Sequence, residues 1–157
     1  MSNSRRFLVT RLGFAKLKEK HHDLREHRVS IIKEVEIAVA QGDLSENAEY
    51  HSAKEILEKL NVQLSELTPI IEHFQIGPAP QDKSVIRFGA HVKVRTVAND
   101  QVSLLIVANP IERMIDDRVQ GFDSPIGRAM IGKKVGDCFT VGADHQFIVE
   151  SIDYPES

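Results

Sequence analysis

The stretch "AQGDLSENAEYHSAKE", Ala40 to Glu55, interrupts a long helical pattern, and its reading decides the fold. Upstream of it, Phe14, Leu17, His21, Leu24, Arg28, Ile31, Val35 and Ala38 recur at alternating spacings of three and four. Downstream, Tyr50, Ala53, Leu57, Leu60, Leu64, Leu67, Ile71 and Phe74 follow the same rule. A seven-residue repeat sustained this long marks a coiled-coil seam. Between the runs, Gly42 suits the left-handed position after a helix, and Asp43 or Ser45 suits an N-cap. Two stripes joined by so short a loop must fold back as an antiparallel hairpin. At ~1.5 Å per residue the prong from Phe14 to Ala38 spans roughly 36 Å. His21 and Arg28 are polar members of the seam, and Pro69 removes one backbone hydrogen bond from the second run.

After Phe74 the period changes. "IGPAPQDKS" is rich in Pro and Gly and reads as a linker. "HVKVRTV", "SLLIVA", "CFTVG" and "QFIVESI" are short β-type runs, with "AND" and "GADH" as turn segments. "SPIGRAMIG" offers a Ser cap, a Pro at the first helical position and a closing Gly. The expected fold is therefore α+β. A coiled-coil hairpin over residues 1–76 leads through a linker, 77–84, to a small antiparallel-sheet domain with one short helix, 85–157.

The composition narrows the functions. A formal net charge of −3 argues against non-specific coating of nucleic acid, and the lack of Trp argues against a large aromatic ligand cage. No apolar run approaches a membrane span, and "MSNSRRFLVTRLGF" has no apolar core behind its basic residues, so no signal peptide is expected. The single cysteine, Cys138, excludes an internal disulfide, fits a reducing cytoplasm, and is expected to be an inert core thiol. No P-loop, Rossmann signature or nucleophilic triad is visible.

The acidic pair Asp43 and Glu46 admits two readings. "DLSE" fits a capping box with Asp43 as the N-cap and Glu46 as the third helical residue. Alternatively, side chains at i and i+3 lie ~5–6 Å apart at Cβ, so both carboxylates can approach one metal ion. Magnesium takes about six oxygens, which two carboxylates do not supply. Such a pair would suit an ion partly held by another protein.

"GDLSENAEYHSAKE" resembles the tip signature of the bacterial Gre transcript-cleavage factors, GreA type, and "DSPIGRAMIGKKVGD" is similar to that family's second signature. "FGAHVKV" matches the opening strand of its C-terminal domain. The resemblance implies a monomeric, cytoplasmic elongation factor that is not itself an enzyme. Its coiled coil enters the secondary channel of RNA polymerase and stimulates cleavage of backtracked RNA. It further implies that Asp43 and Glu46 share Mg2+ with the polymerase, with Ser45, Asn47 and Tyr50 supporting the tip. Arg28 and Lys54 would face the RNA 3′ end or the polymerase. The C-terminal domain would be FK506-binding-protein-like and would dock through Asp123, Ser124 and Pro125. Val29 stands where the family has a proline, and "IVANPIERMIDD" departs from the family's acidic stretch. Competing readings are a channel-binding inhibitor, a coiled-coil adaptor and a prolyl isomerase. For the last, Phe88, Phe122, Phe139 and Phe147 serve equally as sheet core.

Overall fold

Two helices set the frame, and their buried positions keep the seven-residue step of the sequence. The computed structural model of the protein describes residues 5–42 and 46–155. Helix α1 runs Arg11–Ala40 and helix α2 runs Ala48–His73. Leu17, Leu24, Ile31 and Ala38 on α1 are buried, as are Ala53, Leu60 and Leu67 on α2. The alternate stripe members His21, Arg28, Val35, Tyr50, Leu57, Leu64 and Ile71 are half-buried. One position per heptad is therefore closed off from water, and the other forms the flank of the seam. Helix α2 continues through Pro69 to His73. Beyond it, Phe74 is exposed at 41%, and its ring stacks on Phe14 with centroids 3.8 Å apart.

The chain divides into two compact units, of which Lys16–His73 is one. The described residues up to Ala15 belong with those from Phe74 onward. The pairing of two short strands, β1 (Leu8–Val9) and β2 (Gln75–Ile76), explains why residues assigned to the hairpin by periodicity fall in the sheet unit. These strands run parallel, and the Gly77 amide donates to the Val9 carbonyl at 2.9 Å. A side chain at Gly77 would place its Cβ 2.7 Å from the Phe88 ring, so the Pro- and Gly-rich stretch begins packed against its own domain.

The sheet strands are β3 (His91–Thr96), β4 (Val102–Ala108), β5 (Val119–Gly121), β6 (Cys138–Val141) and β7 (His145–Asp153). Their order is β5-β4-β3-β7-β6. Every pair is antiparallel except β4 with β5, which is parallel because a 3-10 helix, Pro110–Met114, carries the chain across between them. Strand alternation puts Val92 and Val94 of β3 into the core with Ile86, Val107, Phe139 and Val149. The short helix α3 (Pro125–Met130) closes that core with Met130. Gly127 lets it approach, since a Cβ there would lie 2.0 Å from the Gly121 carbonyl oxygen.

Cys138 is exposed, contrary to the expectation of a core thiol. It opens an edge strand with only one covered face, and Phe139 occupies that face. Among the described residues no helix is long and apolar enough to cross a membrane.

Candidate functional site

Helix α1 ends as the sequence demands. Gly42 has φ of 110°, the left-handed region that closes a helix without a Cβ penalty. Asp43 and Ser45 lie outside the described residues. On the far side of the turn, α2 begins at Ala48, and Asn47 caps it: the Tyr50 amide donates to Asn47 Oδ1 at 3.1 Å. The capping-box reading, with Asp43 as the N-cap and Glu46 as the third helical residue, falls on a turn whose first residues lie outside those described; Glu46 itself is exposed and has 3-10 conformation ahead of α2. Tyr50 is half-buried at the first seam position and meets His51 edge-on at 5.3 Å, and Lys54 is exposed one position beyond the buried Ala53.

The polar seam members are paired across the hairpin. His21 Nε2 lies 3.0 Å from Thr68 Oγ1, and Arg28 Nε donates to Asn61 Oδ1 at 2.7 Å. The two rungs are one heptad apart on each helix, running in opposite senses, so they mark one antiparallel register. A helix slipped by a turn would separate both pairs, and would leave the half-buried His21 and Thr68 without each other, so the rungs favour this register. Arg28, expected to face outward, thus has its Nε engaged within the hairpin.

Burial and the charge of Arg25 hold His21 ionisation below the ordinary 6.5, with Glu72 of α2 opposing. The unfolded chain therefore takes up this proton first, and stability is lost as the pH falls below about 6.5 toward the folded value. Helix content followed by circular dichroism should show a melting midpoint that drops from about pH 7 to about pH 5. That drop should shrink in His21→Asn. Equal drops in both proteins would assign the pH response elsewhere.

On the sheet unit, the docking trio is divided in its duties. Ser124 is the cap of α3, with Oγ accepting from the Gly127 amide at 3.1 Å and donating to the Gly121 carbonyl at 2.7 Å. Its side chain is used within the fold. Asp123 and Pro125 flank it and are exposed.

A buried polar cluster lies outside every sequence-based expectation. Glu112, 2% exposed, accepts from the Thr10 hydroxyl at 2.5 Å, the Thr10 amide at 3.2 Å and the Asn109 amide at 3.2 Å. Thr10 Oγ1 in turn accepts from the Gly13 amide at 3.0 Å, capping α1. Asn109 Nδ2 donates to the Arg6 and Leu8 carbonyls, both at 2.8 Å. The departure "IVANPIERMIDD" thus encodes a tie to the start of α1. Its local half was readable, since Asn109 and Glu112 have capping-box spacing. Thr10, about a hundred residues away in sequence, gave no signal.

Two family models match the chain in order. One is "Transcription elongation factor, N-terminal", over residues 7–76. The other is "Transcription elongation factor, GreA/GreB, C-term", over residues 81–154. Transcription elongation factor GreA of Thermodesulfovibrio yellowstonii is 34% identical over 140 residues, spanning 88% of this chain and 89% of that protein. The GreA of Nitratiruptor sp. is 32% identical over 136 residues, spanning 85% and 82% respectively. Among solved structures, GreA factor homolog 1 of Thermus thermophilus is 20% identical with a TM-score of 0.41, covering 93% of this chain and 97% of its own. With both family models matched in sequence order and about a third of the residues shared along most of each relative, the chain belongs to the GreA/GreB family of transcription elongation factors, as a GreA-type member.

Proposed function

We propose that the hairpin of this elongation factor enters the RNA polymerase secondary channel and stimulates the polymerase's own cleavage of backtracked RNA. One observation carries the reading. Asn47 caps α2, and Glu46 is exposed just ahead of that helix, at the turn of a two-helix prong. The sequence puts Asp43 three residues away. Carboxylate oxygens are the donors that Mg2+ prefers, and two of them leave most of its shell to other ligands. Asp43 and Glu46 would hold the ion jointly with the polymerase. A bound Mg2+ supplies charge stabilisation to attacking and leaving oxygens in phosphoryl chemistry. The chain itself presents the acids, excludes bulk water by filling the channel, and keeps the prong in register through the His21 and Arg28 rungs. Lys54, exposed on α2, and the guanidinium of Arg28 meet the RNA 3′ end or the channel wall. Asp123 and Pro125 dock the sheet unit on the channel rim. The factor works in the cytoplasm, as a monomer.

The test uses halted, backtracked elongation complexes, scored for RNA shortening across a magnesium titration with and without the protein. The factor should move the magnesium midpoint of cleavage to lower concentration and should leave RNA uncut when polymerase is omitted. An unchanged midpoint, or RNA cut without polymerase, would overturn the reading.

A further inference from the structure

Beside α3 the sheet unit carries an open cleft of 610 Å³ whose lining is rich in arginine. Arg5, Arg6 and Arg128, the last from the final turn of α3, line it together with the apolar Pro110 and Phe122. Asp123 lines the same cleft. All three arginines are exposed, and none forms an ion pair among the described residues. Arg6 lies over the Phe7 ring with its guanidinium carbon 5.4 Å from the centroid, a contact with the ring face that uses no hydrogen-bond acceptor. In a chain whose net charge is −3, three unpaired guanidiniums around one cleft are a local reversal of sign.

We propose that this cleft binds an acidic polypeptide segment bearing an apolar side chain, presented by the partner on which the sheet unit docks. The identity of that partner as RNA polymerase rests on the function proposed above; the chemistry of the segment does not. Guanidinium groups meet carboxylates through paired N–H donors, so Arg5, Arg6 and Arg128 select carboxylates along the segment. The apolar Pro110 and Phe122 take an aliphatic or aromatic anchor, the kind of contact that dominates protein interfaces. Asp123 decides between a peptide and a free polyphosphate. A polyphosphate brings negative charge to every edge of the cleft and is repelled there. A polypeptide offers backbone N–H groups or a basic side chain to Asp123 while its acids meet the arginines. The mixed lining therefore matches a polypeptide.

The experiment compares the full chain with the triple variant Arg5→Glu/Arg6→Glu/Arg128→Glu. Circular dichroism verifies that both keep the same helix content. The first arm measures binding of a fluorescein-labelled acidic peptide, Asp-Glu-Leu-Leu-Asp-Glu, with inorganic triphosphate as competitor. The second measures binding to core RNA polymerase at rising salt. The parent should bind the peptide and lose it as salt rises. The variant should lose peptide binding and bind polymerase about tenfold more weakly or worse, since three favourable exposed pairs become three repulsive ones. Equal binding of peptide and polymerase by the two proteins would overturn the proposal. So would triphosphate displacing the peptide at lower concentration than unlabelled peptide does. If the variant binds polymerase as the parent does while Asp123→Ala/Pro125→Ala binds weakly, the arginine cleft fails and the docking assignment survives. If the parent captures the peptide but not polymerase, the cleft stands and the proposed partner fails.

Discussion

Asp43→Asn is expected to lower stimulated RNA cleavage roughly 100-fold while leaving polymerase binding within about twofold of the parent. The size follows from metal chemistry: disturbing even the groups that support a ligand costs 10–100-fold in metal affinity or activity, and this change removes a ligand. An amide keeps the shape of the carboxylate but not its charge, so the prong still fits while its hold on Mg2+ is lost. Glu46→Gln should act in the same direction, and the pair together should do little more than Asp43→Asn alone, because both act on one ion. Asn47→Ala is the structural control. It removes the side-chain acceptor of the Tyr50 amide and should destabilise the first turn of α2 by ~0.5–2 kcal/mol. If Asp43→Asn lowers cleavage only as much as Asn47→Ala, and melts the helix to the same degree, the acids serve folding and not chemistry. Single-turnover cleavage of a halted complex, run at saturating factor, separates the two outcomes.

The parts of this molecule that were legible in sequence are those built by repetition. Each turn of the hairpin repeats the last, so Leu17, Leu24 and Ile31 announce a seam before any tertiary contact is known, and all three are buried. The four long β-type runs were legible for a similar reason, since the alternation of Val92 and Val94 with Lys93 needs only neighbours in sequence. Strand β5 was not: three residues, Val119–Gly121, are too few to show a period, and their parallel pairing with β4 depends on the crossover before them. That Asn47 caps α2 is not legible in sequence, because Asp43, Ser45 and Asn47 all have capping side chains within five positions, and local chemistry does not choose among them. Cys138 was misread for want of topology. A β-type run says which residues alternate, but only the strand order shows that β6 is an edge with one covered face. At the candidate site, residue types were legible from the tip stretch, whereas the engagement of Arg28 by Asn61 and of Ser124 by the α3 backbone required coordinates.

Glu112→Ala should destabilise the protein by about 3–5 kcal/mol, because several buried donors lose their acceptor. The carboxylate is enclosed and accepts from donors that include the Thr10 hydroxyl and the amides of Thr10 and Asn109. Removing it strands buried donors, each of which costs ~1–3 kcal/mol when left without a partner. Glu112→Gln retains one oxygen and the shape, so it should cost less than half as much. Gly13 supplies an independent check. An alanine there would place its Cβ 1.7 Å from Glu112 Oε1, so Gly13→Ala must displace the carboxylate from its donors. Both substitutions thus damage the same arrangement, and the double variant should be destabilised by clearly less than the two single changes added together. Amide hydrogen exchange at Thr10 and Asn109 reads the effect where it arises, and urea unfolding gives its total. If the two changes add fully, or if the Thr10 and Asn109 amides keep their protection in Glu112→Ala, the carboxylate does not hold the start of α1. The tie would then have to reside in the Asn109 side chain, whose two bonds to the Arg6 and Leu8 carbonyls these substitutions leave in place.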